Sequence, residues 1–191
     1  MSDILNHASR AFYEHGFHGT TVRDIARRVG VTVPALYYHH ENKEGILVAV
    51  LEAAIADLLP RGEAAVAEAG DDPVRQMANL VESIALHVTV RARLAALDSE
   101  YRYLSPGVRR GYAELRKRNE ELMRSVIERG TEQGVFVVTD PAEATRALLG
   151  MLQAISRWYD ESGPLTPAEV ADRYVGLCLS ALGAPTRAGR D

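Results

Sequence analysis

The sequence predicts an all-α protein of about nine helices, divided into a small N-terminal three-helix unit and a larger helical unit. Apolar residues recur three and four positions apart along most of the 191 residues, which is the period of an amphipathic helix. The single extended candidate, residues 135–138, is too short and isolated to form a sheet. Four segments begin with a capping side chain followed by proline, a pair that starts helices: Asp72-Pro73, Ser105-Pro106, Asp140-Pro141 and Thr166-Pro167.

Three short helices are predicted in the N-terminal unit. The first has apolar residues at helical spacing and stops at Gly16, where the pattern breaks. Thr21, followed by Asp24, is an acidic version of the capping box, and it predicts a second helix that ends at Gly30. Thr32 can cap a third, very short helix.

Longer helices follow in the rest of the chain. Asn42 is the predicted cap of a fourth helix whose apolar residues continue to Leu58, and Pro60 is expected to end or kink that helix. Near the end of the chain, Thr166 and Glu169 form a second capping box. The proline-marked starts divide the remaining residues into helices that each carry an apolar face to bury.

The composition is that of a soluble globular protein. The chain contains 22 Lys and Arg against 26 Asp and Glu, a net charge of -4, and 47% hydrophobic residues. Cys178 has no partner for a disulfide, no apolar run approaches the roughly 18 residues that span a bilayer, and the sequence starts without a signal-peptide pattern. We therefore expect a cytoplasmic protein without a membrane partner. The acidity also argues against a nucleic-acid partner, because DNA binding usually leaves a basic footprint.

The charge is unevenly distributed, which weakens that last argument. Residues 1–47 hold five basic and five acidic residues, so this part is formally neutral, and it holds five of the six histidines. Residues 91–129 hold ten basic and six acidic residues. Such a run is usually a solvated helix face with ion pairs between residues four apart, but it could also receive phosphate groups.

Residues 21–40 have the pattern of a helix, a tight turn and a second short helix. This arrangement lays the second helix in the major groove of DNA while the first helix braces it. Gly30 supplies the turn, and Val31 and Leu36 are expected to bury the inner side. The other residues of 32–39 then remain for the outer side or the helix ends. The pattern therefore predicts a helix-turn-helix DNA-binding domain.

These residues also resemble a known family. The following motifs have the order and spacing of the DNA-binding domain of TetR-family transcriptional regulators: Thr20-Thr21-Val22-Arg23-Asp24-Ile25-Ala26, Gly30-Val31, Leu36-Tyr37-Tyr38-His39 and Asn42-Lys43-Glu44. The resemblance implies phosphate contacts by Thr21, Tyr37, Tyr38, His39 and Lys43, and base-edge contacts by Thr32, Val33 and Pro34.

The resemblance also implies a function and a domain division. Such regulators, most often repressors, bind a palindromic operator as homodimers through an N-terminal domain, here residues 1–47. A small-molecule effector binds a second domain, here residues 48–185, and releases the DNA; residues 186–191 are expected to be a disordered tail. The stretches Arg157-Trp158-Tyr159 and Gly163-Pro164-Leu165-Thr166-Pro167 are similar to steroid- and acyl-CoA-responsive repressors of actinobacterial catabolism. This similarity implies an acyl-CoA or another hydrophobic metabolite as the effector.

Candidate effector contacts are aromatic, methionine and polar side chains on apolar helix faces. His87 and Asn119 are included because a polar residue in the middle of an apolar face favours a pocket. The aromatic and methionine candidates also fit an ordinary core, which is the commoner role of such stripes. The set is Met77, Ile84, His87, Tyr101, Tyr103, Tyr112, Asn119, Met123, Met151 and Trp158.

The last two predicted helices are candidates for dimerisation. Residues 141–159 and 167–182 combine apolar stripes with small side chains that let helices approach closely, and with a second copy they would form a four-helix interface. The alternative is that these stripes belong to the core of a single chain. The candidate interface residues are Ala147, Gly150, Met151, Ala154, Tyr174, Leu177, Cys178 and Ala181.

His40 departs from the family pattern, which usually has phenylalanine at this position. Its spacing from Val33 and Leu36 turns it towards the interior of the N-terminal unit. One interpretation is a neutral histidine that packs as a ring and makes a local hydrogen bond. The alternative is that protonation below about pH 6 loosens the DNA-binding domain, since histidine titrates near 6.5.

Other functional classes fit less well. Cys178 lies on an apolar helix face with no histidine near it in sequence. His15 and His18 straddle a glycine turn and His39 and His40 are adjacent, so neither pair offers metal-ligand spacing on a helix face together with a carboxylate. No glycine-rich phosphate loop is present. An enzyme, a metal or a cofactor is therefore not expected. The remaining alternatives are a helical protein-binding module and a regulator without a small-molecule effector.

Overall fold

The computed structural model describes residues 1–184. Within these residues there are ten α-helices, one 3-10 helix and no β-strand, so the predicted all-α class is confirmed. No helix in this part of the chain is both long enough and apolar enough to cross a bilayer. The predicted tail, residues 186–191, lies outside the described residues. The helices are α1 (Asp3–Gly19), α2 (Val22–Val29), α3 (Val33–His39), α4 (Lys43–Ile55), α5 (Leu58–Glu68), α6 (Pro73–Val90), α7 (Ala92–Ala96), the 3-10 helix (Leu97–Tyr103), α8 (Pro106–Glu132), α9 (Pro141–Trp158) and α10 (Pro167–Ala181).

Most helix starts use the predicted capping side chains. The Thr21 hydroxyl accepts from the Asp24 N–H at 3.1 Å, and the Asp24 carboxylate accepts from the Thr21 N–H, which completes the capping box of α2. Thr32 and Asn42 cap α3 and α4 through their side-chain oxygens. The same is true of the residues that precede the first proline of three later helices: Asp72, Asp140 and Thr166.

Two helix breaks refine the sequence prediction. Gly16 has φ 69° and ψ 172°, which leaves the helical region, and the chain then makes one further turn to Gly19. The predicted end of α1 is therefore a kink that glycine accommodates easily. The predicted fourth helix divides before Pro60, because α4 ends at Ile55 and α5 begins at Leu58. Pro60 thus lies in a first helical turn, where its missing N–H costs no hydrogen bond.

The chain forms two compact units. Among the described residues, the first comprises residues 1–56 and 93–115, and the second comprises residues 57–92 and 116–184. This grouping differs from the predicted boundary at residue 47. All of α4 belongs with α1 to α3, and so do most of α7, the 3-10 helix and the start of α8.

The first unit has its own hydrophobic core. In it α1 packs against α2, α4 and the 3-10 helix. Tyr112 is buried, and its hydroxyl donates a hydrogen bond to Asp98 Oδ1 at 2.7 Å. The N-terminal helices therefore share a core with residues from a much later part of the sequence. The buried members are Ala8, Ala11, Phe12, Ile25, Leu36, Ile46, Leu47, Val50, Leu51, Leu97, Leu104 and Tyr112.

In the second unit, α6 packs against α5, α9 and α10. Its buried face carries mainly apolar side chains. Gln76 accepts a hydrogen bond from the Arg129 guanidinium at 2.8 Å, which links α6 to α8. Asp57, just before α5, accepts two hydrogen bonds of 3.0 Å from the Arg91 guanidinium just after α6. These polar contacts hold both ends of α6. The buried apolar residues of α6 include Met77, Leu80, Val81, Ile84, Ala85 and Val88.

Packing requires a glycine near the end of α8. A Cβ placed on Gly130 would lie 2.1 Å from Cδ2 of the buried Phe136. We expect Gly130→Ala to lower the free energy of unfolding by about 1–3 kcal/mol, because this overlap outweighs the better helix propensity of alanine. Urea unfolding monitored by circular dichroism measures the change.

Gly111→Ala is the matched control in the same helix, since a Cβ at Gly111 would meet nothing within 4 Å. Alanine at this position is expected to leave the free energy of unfolding unchanged or to raise it by up to about 1 kcal/mol. Equal stability of the two variants would contradict the proposed packing constraint.

Candidate DNA-binding surface

The turn between α2 and α3 is tight and is fixed from the inside. Gly30 has φ 81°, and its N–H and that of Val31 both donate to the Ala26 carbonyl, at 2.9 and 3.0 Å. Ile25 and Leu36 are fully buried beside this turn. Val31, however, is exposed, so its predicted burial is wrong; the left-handed Gly30 turns it away from the contact between the helices. The turn nevertheless holds α3 against α2 as the helix-turn-helix pattern requires.

The outer face of α3 is aromatic and polar. Tyr38 is 87% exposed, and Tyr37 and His39 are exposed beside it. The rings of Tyr38 and His39 meet edge to face with their centroids 5.3 Å apart. Two phenol hydroxyls and an imidazole are thus presented to solvent on one short helix. The base-edge candidates are Thr32 (exposed), Val33 (half-buried) and Pro34 (exposed).

Thr21 is exposed at the start of α2, and its hydroxyl is hydrogen-bonded to Asp24. Its Oγ1 accepts from the Asp24 N–H and donates to Asp24 Oδ2 at 2.5 Å. The hydrogen bond that the Thr21 hydroxyl donates to the Asp24 carboxylate is the main reason why the pKa of Asp24 is lowered. An anion at this helix end would therefore meet the N–H groups of the first turn rather than the hydroxyl proton of Thr21.

Lys43 has a structural role that sequence reasoning missed. Its Nζ donates to the Phe17 carbonyl at 2.8 Å and to the Thr20 carbonyl at 2.9 Å, and it lies 4.3 Å from the centre of the Phe17 ring. An ammonium group has three N–H donors, so these two bonds leave one for a phosphate. Lys43 ties the start of α4 to the end of α1, and its predicted DNA contact depends on the third donor.

Two arginines of α2 are paired within the first unit. Arg28 lies 2.7 Å from Glu14 Oε2, and Arg27 lies 2.7 Å from Asp24 Oδ1. The hydrogen bond from Arg28 is the main cause that lowers the pKa of Glu14. Arg27 and Arg28 therefore each have a carboxylate beside them, whereas the third arginine of α2, Arg23, is exposed. The donors that α3 itself presents are hydroxyl and ring N–H groups.

His40 caps the C-terminal end of α3 and is half-buried. Its backbone N–H donates to the Leu36 carbonyl at 3.1 Å. Burial lowers the pKa of its imidazole, and the neighbouring His39 lowers it further. The folded state therefore favours the neutral ring, which agrees with a packed histidine and also makes protonation unfavourable.

The predicted effector contacts are divided between the two units. Tyr101, Tyr103 and Tyr112 belong to the first unit, and the remaining candidates belong to the second. Tyr112, Met77 and Met123 are buried at 1% exposure or less, so they fill hydrophobic cores, which is the alternative that such stripes allowed. The candidates that keep some accessibility are His87, Tyr101, Tyr103, Asn119, Met151 and Trp158, whereas Ile84 is buried.

His87 lies on a groove between α5 and α6 with a volume of about 590 Å³. Its side chain is 7% exposed, and Nδ1 lies 3.9 Å from Asp57 Oδ1. Asp57 is also paired with Arg61 and Arg91, so this end of the groove is a charged cluster. The groove is lined by Arg61, Ala65, Glu68, Asn79, Glu82, Ser83, Leu86, His87, Val90 and Arg91.

The predicted dimer surface on α9 and α10 is largely accessible. Leu177 is 52% exposed, and Trp158, 48% exposed, stacks on Tyr174 and donates from Nε1 to its hydroxyl at 3.2 Å. Cys178 is different: it is fully buried, and this burial raises the pKa of its thiol to about 12. A residue with no accessible surface cannot contact a partner, so Cys178 is removed from the interface. The other candidates are Ala147, Gly150 and Ala181 (exposed) and Met151 and Ala154 (half-buried).

Two acidic residues that sequence reasoning missed bind backbone groups of the first unit. Glu100 Oε2 accepts from the Phe17 N–H at 2.8 Å, across 83 positions of sequence. The Glu44 carboxylate accepts from the Ser105 N–H, across 61 positions. Capping and periodicity describe neighbours along the chain, so neither signal could have identified these partners.

The fold and this surface define a helix-turn-helix transcriptional regulator. A family model described as bacterial regulatory proteins, tetR family, matches residues 4–50, and one described as tetracyclin repressor-like, C-terminal domain, matches residues 70–182. The chain belongs to the TetR family of transcriptional regulators.

Individual relatives agree with this assignment. The HTH-type transcriptional repressor KstR2 of Rhodococcus jostii (strain RHA1) is 30% identical over 186 residues, which cover 96% of this chain and 91% of that protein. The TetR-family regulator PfmR from Thermus thermophilus matches with a TM-score of 0.84 at 36% identity, covering 93% of this chain and 97% of its own. AibR in complex with isovaleryl coenzyme A and operator DNA matches with a TM-score of 0.82 at 25% identity, covering 91% and 95%. The matches confirm the resemblance to TetR-family repressors.

We expect His40 to make the stability of the first unit depend on pH. Its pKa is lowered from about 6.5 in the folded state, so the unfolded chain binds the proton more readily. The stabilising effect of the neutral ring is complete above about pH 6.5 and is lost as the pH falls towards the lowered folded-state pKa. We expect His40→Phe to reduce the loss of thermal stability between about pH 7 and pH 5.

His15→Gln is the control for this measurement, because it removes a histidine whose side chain is half exposed on α1. This variant should keep the acid sensitivity of the parent chain. If His40→Phe lost as much stability on acidification as the parent does, the role assigned to His40 would be wrong.

Proposed function

We propose that this chain represses transcription in the cytoplasm by binding a palindromic operator as a homodimer, and that a small-molecule effector releases it. The observation that carries the proposal is the exposed face formed by Tyr37, Tyr38 and His39, on a helix held by the tight turn at Gly30. Membership of the TetR family supports the DNA-binding role. The name of the relative KstR2, a transcriptional repressor, supports repression over activation.

The exposed side chains of α3 suit different parts of DNA. The two tyrosines and the histidine donate to phosphate oxygens, which positions the helix without selecting a sequence. Thr32 can hydrogen-bond a base edge, and Val33 and Pro34 offer apolar contact to a thymine methyl group. Sequence discrimination therefore rests on the first turn of α3, and affinity rests on its last turn.

Further phosphate contacts come from the helices around α3. The N–H groups that follow Thr21 face outwards at the start of α2, and Lys43 keeps one N–H donor. Arg27 and Arg28 are already paired with carboxylates. Because two of the three arginines of α2 are paired and residues 1–47 are formally neutral, binding is expected to depend weakly on salt.

Dimerisation is assigned to α9 and α10. Both helices expose small or apolar residues, among them Ala147, Gly150 and Leu177, which a second copy can cover. A symmetric pair of such helices forms a four-helix interface in which the same surface is used twice. The dimer would place its two recognition helices in successive major grooves, about 34–36 Å apart.

The proposed effector is an acyl-CoA or another hydrophobic metabolite. The AibR structure contains isovaleryl coenzyme A, which supports this ligand class for a chain of the same fold. Residues 91–129 hold ten basic residues against six acidic ones, a surplus of positive charge that suits the phosphates of coenzyme A. His87 and Asn119 are polar candidates that stay partly accessible in the second unit.

Tyr38→Phe tests the proposed DNA contact. Loss of one hydroxyl that donates to phosphate should weaken binding to the upstream DNA of the chain's own gene about three- to tenfold. Fluorescence anisotropy measures this affinity, and its dependence on salt should have a log–log slope no steeper than about -5. Adding an acyl-CoA should dissociate the complex in the same assay.

Tyr13→Phe is the matched control, because Tyr13 is likewise an exposed tyrosine but belongs to α1 and not to α3. It should bind DNA as the parent chain does. If the parent chain formed no sequence-specific complex even at low salt, the proposed function would be overturned in favour of a helical protein-binding module. A protein–DNA complex that no acyl-CoA dissociated would argue for a different effector.

Leu177→Lys tests the proposed dimer surface. A charged side chain at this half-exposed site should leave the fold intact but weaken the dimer by at least about tenfold, because it would be buried against the second copy. Val90→Lys is the control, since Val90 is 72% exposed at the end of α6. Sedimentation velocity distinguishes monomer from dimer. A Leu177→Lys chain that sedimented like the Val90→Lys chain would remove α10 from the interface.

A further inference from the structure

Residues 17–20, which are the last turn of α1 after the kink at Gly16 and the residue that follows it, form the junction that leads into α2. A distant segment of the chain contacts this junction. We infer that Glu100 is a positioning residue for DNA binding: it fixes the junction and thereby the start of α2. The inference rests on the operator binding proposed above. It adds a determinant of DNA affinity that lies outside the helix-turn-helix sequence.

The backbone of Phe17 is held from both sides. Its N–H donates to Glu100 Oε2 at 2.8 Å, and its carbonyl accepts from Lys43 Nζ at 2.8 Å. Gly16 leaves the helical region at this point. A backbone group at a helix break needs a partner from elsewhere, and here two charged side chains supply the partners.

The same segment makes a second contact with the junction through Tyr103. The ring of Tyr103 stacks on that of Phe17, with centroids 6.2 Å apart and planes 9° from parallel. It also meets His18 edge to face at 4.5 Å. Two residues of the 3-10 helix, Glu100 and Tyr103, therefore reach the junction by independent polar and aromatic contacts.

The junction leads directly into the DNA-binding helices. Thr20 is buried, and its hydroxyl donates towards the carbonyls of Ala11 and Gly16 at 3.0 and 2.8 Å. The next residue, Thr21, is the cap of α2. A shift of the junction would move the outward N–H groups of α2, together with α3 that packs on it, relative to the phosphates they contact.

Glu100 also belongs to a segment that is fastened at a second place. The Glu44 carboxylate, in the first turn of α4, accepts from the Ser105 N–H. The 3-10 helix contacts both α1 and α4. The segment that carries Glu100 is therefore itself held in place. A residue can fix the position of another group only if its own position is fixed.

The test separates reach from charge with three variants in the full-length chain. Glu100→Gln keeps the reach and an acceptor oxygen but loses the charge, whereas Glu100→Asp keeps the charge and loses one methylene of reach; Glu100→Ala loses both. We expect Glu100→Asp and Glu100→Ala to bind the operator about fivefold or more weakly, and Glu100→Gln to stay within about twofold of the parent. Glu114→Asp, at an exposed position of α8, is the control.

Two measurements accompany the anisotropy titrations. Thermal unfolding curves identify a temperature at which every variant is fully folded. The DNA affinities of the variants are compared at that temperature. Amide hydrogen exchange should accelerate at Phe17 in Glu100→Asp and Glu100→Ala, but not in Glu100→Gln or Glu114→Asp. This local readout remains informative even where one substitution destabilises the whole unit.

The outcomes that overturn the inference are distinct. Parent-like affinity of folded Glu100→Asp and Glu100→Ala would show that the junction does not need Glu100. An equal loss in Glu100→Gln, which keeps the reach and an acceptor oxygen, would show that the hydrogen bond from the Phe17 N–H does not by itself position the junction. If the parent and Glu114→Asp themselves bound no specific DNA, the proposed operator binding would have failed, and this inference with it.

Discussion

The geometry of the first unit depends on how the backbone of Phe17 is satisfied. The break at Gly16 separates Phe17 from the regular hydrogen bonds of α1, and two oppositely charged side chains replace them. One of these, Lys43, lies at the start of α4, and the other, Glu100, lies in the 3-10 helix. Residues 17–20 lie between this bend and the cap of α2 at Thr21, so the two side chains hold the segment that leads from α1 into α2.

Charge pairing within the first unit explains how an acidic chain can belong to a DNA-binding family. Arg27 and Arg28 are neutralised by carboxylates of the same unit, and two of the three donors of Lys43 are used on backbone carbonyls. Arg28 and Lys43 thus link helices, whereas the pair of Arg27 with Asp24 lies within α2. The donors that α3 exposes are neutral hydroxyl and imidazole groups, which suit hydrogen bonding better than bulk electrostatic attraction.

Local features of the sequence predicted local features of the structure. The capping box at Thr21 and the left-handed turn at Gly30 involve residues three or four apart, so the sequence alone revealed them. The long-range contacts of Glu100 had no such signal, and the same is true of the grouping of residues 93–115 with the N-terminal helices. The sequence was least informative about the effector contacts, because the sequence pattern around a methionine such as Met77 is the same whether the side chain fills a core or lines a cavity.

The burial of Cys178 affects the reactivity of its thiol towards oxidants. It is the single cysteine of the sequence, and a thiol with a pKa of about 12 is almost never present as the reactive thiolate at neutral pH. Peroxide and disulfide reagents consequently find no accessible thiol in the folded chain. The thiol becomes reactive only when α10 opens, so the rate at which a thiol reagent modifies the protein reports the opening of that helix.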